Sequence, residues 1–305
     1  MPGPSHPPRR PDMPEVKEFT NANKPTWCPG CGNYGMFEAL KRALAELGWE
    51  KREFTMFWGI GCHGNGADFY DVQGLHALHG RAIPPATAYS LTRPDQHVIV
   101  EQGDGDGYGL GLGHFVHACR RNVRFTCITH NNQIYGLTTG QASPTTDHLM
   151  RTVSTPAGVL EEPVNPIGLA LSEGATFVAR GFAGDIPHLT ELYVEALQHD
   201  GFALVDVLQP CVTWNKLNTF AWFRERVYKL EDEGWDTSDR AAALTLSLTT
   251  FREMSCAPEE CRVPIGVVFR EAGVATYNSQ LPAASTPGFE RARGARDVGG
   301  LLDRL

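Results

Sequence analysis

The chain has 305 residues and a mass of 33.5 kDa, enough for one large or two small domains and a substantial buried core. Apolar residues make up 42% and charged residues 20%, globular values that exclude a wholly disordered chain. The 35 acidic residues outnumber 27 basic ones, for a net charge of −8 with neutral histidines; no Lys/Arg-rich block offsets this excess, which argues against nucleic-acid binding. No apolar run reaches the ~18 residues of a membrane span, and the stretch MPGPSHPPRRPDMPEVKEF lacks the apolar core of a secretory signal. A cytoplasmic chain with neither membrane nor nucleic acid as partner is expected. Its 8 cysteines are too sparse for a disulfide scaffold.

Residues 1–24 are rich in proline and charge and predict a flexible or draped arm. Phe37, Leu40, Leu44 and Leu47 recur at helical spacing, and Gly48 marks a helix stop. Phe54 to Ile60 reads as a strand ending in glycines, and Pro85 to Leu91 as a short helix. His97 to Glu101 reads as a buried strand followed by a Gly-rich loop. Leu112 to Arg121 reads as a helix with arginines at its carboxyl end, where the dipole favours them. Val123 to Thr129 is the next strand, and Phe177–Arg180 and Phe202–Leu208 are strands around a helix Pro187–Gln198. Strand, helix, strand in succession predicts an α/β fold, a mostly parallel sheet flanked by helices with right-handed crossovers. Beyond residue 215, Phe220–Leu230 and Arg240–Met254 look helical, Pro264–Phe269 is a last strand or an extended arm, and Gly300–Leu305 a short helix. The expected organisation is an arm over 1–24, an α/β domain over 25–215, a helical extension over 216–280 packing on the domain or a partner, and a tail over 281–305.

In open parallel sheets, ligands sit beyond the carboxyl ends of the strands. Two such ends carry unusual chemistry: Gly103-Asp104-Gly105-Asp106-Gly107 after strand 97–101, and Asn131-Asn132 after strand 123–129. Residues 106–130 have room for one helix and one strand, so the two ends are expected side by side. Glycines let a backbone approach a phosphate closely, and a following helix start offers free N–H groups. Asp104 and Asn132 offer a carboxylate and an amide oxygen to one hard cation such as Mg²⁺. A dinucleotide fingerprint is excluded, because no glycine from 103 to 111 has a partner at the fifth position beyond it, and the absence of any Gly-Lys pair excludes a P-loop. A Gly-Asp-rich turn that binds nothing is the bland alternative, and the Asn131-Asn132 pair weighs against it.

Cys28-Pro-Gly-Cys31 puts two thiols on a tight turn at a common metal-ligand spacing. Cys62, in Gly59-Ile-Gly-Cys62, and Cys211, after Pro210, fall at two further strand ends on the same edge. Four thiolates suit zinc or an iron–sulfur cluster, and CxxC alone also suits a redox pair. Cys119 and Cys127, in apolar stretches, read as buried inert thiols. Cys256 and Cys261 have no evident role.

The segments WCPGCGNYGMFEAL, GIGC, LHGRAIPPATA, GDGDGYGLGLGHFVHACRRN, NNQIYGLTTGQASPTT and DVLQPC occur in that order. Together they resemble the beta subunit of the 2-oxoacid:ferredoxin oxidoreductases over about residues 25–220, with weaker similarity in PIGVVF at 264–269. The resemblance implies a thiamine-diphosphate-binding fold over 25–215 and a [4Fe-4S] cluster on Cys28, Cys31, Cys62 and Cys211. It implies magnesium held by Asp104, Asn132 and the backbone carbonyl of Ile134, with Gly103, Gly105, Asp106, Gly136 and Leu137 also against the cofactor. The implied reaction joins a 2-oxoacid, 2-oxoglutarate or pyruvate, with coenzyme A to give an acyl-CoA and CO₂. Electrons pass from thiamine diphosphate through the cluster to ferredoxin, and in some relatives the reaction runs backwards. An alpha subunit is implied to supply the glutamate that acts on the aminopyrimidine ring, so this chain alone is not a complete enzyme, and the Pro-rich arms are expected to wrap that partner. The alternatives are a non-redox thiamine-dependent decarboxylase subunit with a structural zinc Cys₄ site, and a catalytically silent interaction subunit; the intact motifs argue against the silent one.

His63, next to Cys62, and His79 and Arg81, in Leu78-His79-Gly80-Arg81, are candidates to line the oxoacid pocket, with Arg81 pairing a carboxylate. Thr138, Thr139 and Gln141 are candidates from the loop after the asparagines. His114 and His117 read as packed or capped core residues, and Arg120-Arg121 as a helix-end or interface pair. Two positions depart from the family pattern. Asn131 stands where many relatives have Asp and is expected to face away from the metal. Thr139 stands where many have a Lys thought to meet substrate or coenzyme A, which leaves the oxoacid open.

Overall fold

The computed structural model describes residues 13–252, 261–281 and 287; the first twelve residues, Cys256 and the expected helix Gly300–Leu305 lie outside them. In chain order the elements are α1 (Asn33–Leu47), β1 (Phe54–Trp58), β2 (Gly74–His76), α2 (Ile83–Thr92), β3 (His97–Gly103), α3 (Leu112–Arg121), β4 (Phe125–Asn131), α4 (Pro166–Ser172), β5 (Phe177–Phe182), α5 (Ile186–Gln198), β6 (Phe202–Leu208), α6 (Phe220–Arg224), β7 (Val227–Lys229), α7 (Arg240–Arg252) and β8 (Val263–Arg270). The strands form one 8-stranded sheet in the order β2-β1-β3-β4-β6-β5-β8-β7. The first six in that order run parallel; β8 joins β5 antiparallel and carries β7 parallel to itself. The expected α/β architecture is thus the observed one, closed at one side by an antiparallel pair.

Strand alternation sorts side chains into two cores. Phe54, Met56, Trp58, Ile128, Ala203, Val205 and Val207 pack with α1 and α5 on one face. Phe57, Phe125, Cys127, Phe202 and Leu204 pack with α2, α3, α4 and α7 on the other. A strand buried on both faces reads as a continuous apolar run, which is why β6 is legible as FALVDVL. α1 ends where Gly48 takes the left-handed conformation at φ 69°, a backbone that side chains disfavour. None of the described helices is long and apolar enough to cross a membrane.

Several stretches differ from the sequence reading. The Gly-Asp segment after β3 is not a loop: Gly105–Leu110 forms a π-helical turn running into α3. The helix expected over Phe220–Leu230 stops at Arg224, because Val227–Lys229 instead pairs with Val263–Ile265. Of the two alternatives for Pro264–Phe269, the strand is the observed one. Of the N-terminal arm, the described part is docked: Phe19 is fully buried in the α1 core, and Asn21 Nδ2 donates to Asp68 O at 2.7 Å.

Candidate functional site

The site lies at the carboxyl ends of β1, β3, β4 and β6. The ladder aligns Gly103 with His130 and His130 with Val207, so the Gly-Asp and Asn-Asn ends are direct neighbours. A cleft here is lined by Ile60, Cys62, His63, His79, Asp104, Asn132 and their neighbours up to Thr138. Gly105 is required by close approach: a Cβ there would fall 2.2 Å from Tyr135 Cε1, and the Tyr135 hydroxyl donates to Gly105 O at 3.1 Å. Such π-turns recur at functional sites, where they re-aim side chains.

Asp104 is buried, and its Oδ2 accepts hydrogen bonds from Ser143 Oγ at 2.5 Å and Thr145 Oγ1 at 2.6 Å. Burial raises its carboxyl to about 6 against the lowering effect of those hydroxyls. Asn132 Oδ1 accepts from Ile134 N at 3.1 Å, in a turn whose middle residue, Gln133, sits at φ 59°. A carbonyl oxygen has two lone pairs, so Asn132 Oδ1 keeps one acceptor position. Asn131 turns the other way: its Nδ2 lies 3.2 Å from both oxygens of buried Asp206, and its Oδ1 lies 3.0 Å from Thr145 Oγ1. Asp106 Oδ1 accepts from Gly80 N at 2.6 Å and Ile60 N at 3.2 Å and meets His79 Nδ1 at 2.8 Å. Burial works to raise the Asp106 carboxyl, but His63, Gly80 N–H and His79 hold it below the usual carboxylate range. His63 Nε2 and Asp106 Oδ2 face each other at 3.5 Å, and neither has a hydrogen-bond partner.

The four cysteines of the motif reading converge beside this cleft. A Cβ built on Gly136 would lie 3.5 Å from Cys211 Sγ and 3.6 Å from Cys62 Sγ. Cys31 feels the charges of Cys211, Cys62 and Cys28, although burial is the larger cause that pushes its thiol to about 12. Cys62 is pushed to about 11, again by burial first and then by Cys211 and Cys28. All four are free thiols, and only Cys28 is exposed. Among the described residues, no three His, Cys, Asp or Glu side chains close around a single-ion position. Thiols are the donors an iron–sulfur cluster takes, and binding one would displace their protons.

Comparison with known proteins shows the family. Residues 59–207 match the family described as thiamine pyrophosphate enzyme, C-terminal TPP binding domain, and residues 211–286 match the C-terminal family of the pyruvate ferredoxin oxidoreductase beta subunit. The 2-oxoacid:ferredoxin oxidoreductase subunit beta of Saccharolobus solfataricus is 43% identical over 278 residues, covering 89% of this chain and 90% of that one. The chain belongs to the 2-oxoacid:ferredoxin oxidoreductase beta subunits. The corresponding subunit from Sulfolobus sp is 44% identical over 263 residues, covering 85% of this chain and 86% of that one. A solved structure of 2-oxoglutarate:ferredoxin oxidoreductase from Magnetococcus marinus, with 2-oxoglutarate, coenzyme A and succinyl-CoA bound, superposes with a TM-score of 0.83 at 35% identity, covering 96% of each chain.

Within this beta subunit the pocket candidates divide. His63, His79, Thr138, Gly136 and Leu137 line the cleft with Gly103, Gly105 and Ile134. Arg81 does not: its guanidinium donates to Gly80 O and Leu110 O, each at 3.0 Å, and so braces the π-turn from outside. Thr139 is exposed outside the lining at φ 75°, and Gln141 is folded onto Thr138, whose hydroxyl donates to Gln141 Oε1 at 2.6 Å. His114 and His117 are not core residues; the first is half-buried and the second exposed. Cys119 and Cys127 are fully buried. Three residues escaped the sequence reading: Ser143 and Thr145, which hold Asp104, and Gln209, which contacts both Asn132 and Cys31. The hydroxyl run of Ser-Pro-Thr-Thr was the available signal for the first two.

Proposed function

We propose that this beta subunit holds thiamine diphosphate and Mg²⁺ at Asp104, Asn132 and the Ile134 carbonyl, and a [4Fe-4S] cluster at Cys28, Cys31, Cys62 and Cys211. With an alpha subunit it converts a 2-oxoacid and coenzyme A to acyl-CoA and CO₂ and passes the electrons to ferredoxin. The observation that carries this reading is the meeting, at Gly136, of the Asp104–Asn132 cleft with the sulfurs of Cys62 and Cys211. When bound, thiamine diphosphate supplies the electron sink for decarboxylation and the cluster a one-electron acceptor.

The chain's own residues provide position and electrostatics. With Oδ2 of Asp104 held by two hydroxyls, Oδ1 is the oxygen assigned to the cation, alongside the second lone pair of Asn132 Oδ1. Gly103, Gly105 and Leu137 admit the diphosphate to the backbone. Asp106 fixes His79, and His63, His79 and Thr138 form the wall assigned to the oxoacid. The relative that holds 2-oxoglutarate, coenzyme A and succinyl-CoA supports 2-oxoglutarate as a substrate, with pyruvate the second candidate.

The test uses the purified heteromer under anaerobic conditions, with each oxoacid, coenzyme A and ferredoxin. Asp104→Ala is expected to lose thiamine diphosphate and magnesium and keep its iron. Cys211→Ser is expected to lose iron and ferredoxin reduction and keep thiamine diphosphate. Unchanged cofactor content in the first variant, or full iron in the second, refutes the corresponding assignment.

A further inference from the structure

Gln209 lies between the two assigned cofactor positions, one residue beyond β6. It is 1% exposed, and its backbone is pinned by Gln209 N donating to Asn131 O at 2.9 Å. Its side chain has partners on both sides. Oε1 accepts from Asn132 Nδ2 at 2.9 Å, while Nε2 donates to Cys31 Sγ at 3.4 Å and Pro210 O at 3.1 Å. Gly32 leaves room for it: a Cβ there would fall 2.8 Å from Gln209 Cγ and 3.1 Å from Nε2. A buried amide with both its oxygen and its nitrogen engaged has one orientation.

The two amides interlock. Asn132 must aim Nδ2 at Gln209, which leaves Oδ1 for Ile134 N and the cation. Gln209 must aim Oε1 at Asn132, which leaves Nε2 for the sulfur. Turning either amide over would set oxygen against oxygen or N–H against N–H, an expensive arrangement in a buried site. Hydrogen bonds to the sulfurs are among the terms that set the potential of an iron–sulfur cluster. A reduced cluster carries one more negative charge, so an N–H on a ligand sulfur stabilises it more than the oxidised one.

We propose that Gln209 is a positioning residue shared by both sites: its N–H raises the potential of the cluster through Cys31, and its carbonyl fixes the amide of Asn132 so that Oδ1 faces the magnesium. This rests on the cofactor assignment made above. Gln209→Met keeps an unbranched side chain beside Gly32 and removes both bonds. Gln209→Glu keeps an oxygen for Asn132 and loses the amide N–H to Cys31. In the holoenzyme, the cluster midpoint potential is read by electron paramagnetic resonance during redox titration. Magnesium affinity is read by titrating stripped protein with the metal in the presence of thiamine diphosphate.

Both variants are expected to show a lower midpoint potential. Gln209→Met is expected to bind magnesium roughly ten- to a hundred-fold more weakly, the usual effect of losing the partner of a metal ligand, and Gln209→Glu to stay close to the parent. A parent-like potential in Gln209→Met, or parent-like magnesium affinity there, overturns the proposal. Loss of iron from both variants also overturns it, because Gln209 would then build the cluster site rather than tune it. A parent enzyme without a cluster signal overturns the cofactor assignment itself, which separates that failure from a failure of Gln209 alone.

Discussion

Gly105 brings the backbone into close contact with the cleft wall at Tyr135. Adding one methyl group there drives it to 2.2 Å from the Tyr135 ring, so the ring must leave its place against the π-turn. Overpacking of this kind costs about 1–3 kcal/mol, and the cost falls on the cleft wall. Gly105→Ala is expected to weaken thiamine diphosphate binding by roughly ten-fold, the equivalent of ~1.4 kcal/mol, with iron content unchanged. Calorimetric titration of the cofactor checks it, and parent-like affinity would contradict the close-approach argument. Asp104, Asn132 and the four cysteines were legible as candidates because each sits in a short motif. Ser143 and Thr145, which orient Asp104, were not, because they lie 39 and 41 residues away and meet it only through the fold. Arg81, a candidate carboxylate partner beside a pocket histidine, lies outside the cleft lining, with Nη1 donating to Gly80 O and Leu110 O.

At the scale of elements, the central parallel strands were readable, while the parallel edge strand β2 was missed. β3, β4 and β6 are buried on both faces, and their apolar residues VIV, FTCI and FALV carry the signal. Gly105–Leu110 has the composition of a loop, since glycine disfavours helices. Wedged between β3 and α3, it winds into a π-turn that Gly111 N closes onto Asp106 O at 2.9 Å. The short α4 was missed altogether, and its stability is largely borrowed. Asn165 accepts from Gly168 N at 3.0 Å as its N-cap and also donates to Ser247 O of α7 at 3.0 Å. Arg240, the first residue of α7, donates to Leu171 O at 2.8 Å and Ala175 O at 3.1 Å. Asn165→Ala loses both the cap and the tie to α7, and is expected to destabilise the chain by about 1–2 kcal/mol. Urea unfolding measures this; an unchanged midpoint would mean that the Arg240 contacts alone hold the two helices together.

For the whole molecule, topology explains why two chemistries share one sheet edge. Parallel strands send all their carboxyl ends the same way, so motifs from residue 59 to residue 138 meet at one cleft, with Cys211 beside it. The antiparallel β8 and its partner β7 lie on the far side of β5 and extend the sheet away from that cleft. This explains how the relatives' similarity can run on through the C-terminal segment while the assigned ligands end at Cys211. In the proposed function, a cluster held by this chain would take electrons from thiamine diphosphate. The most direct test is an anaerobic visible spectrum of the chain purified with its alpha subunit, recorded before and after adding a 2-oxoacid and coenzyme A. The account predicts a brown protein that bleaches when both are present. A colourless protein that binds thiamine diphosphate and carries zinc, or a brown one that substrate and coenzyme A never bleach, would contradict it.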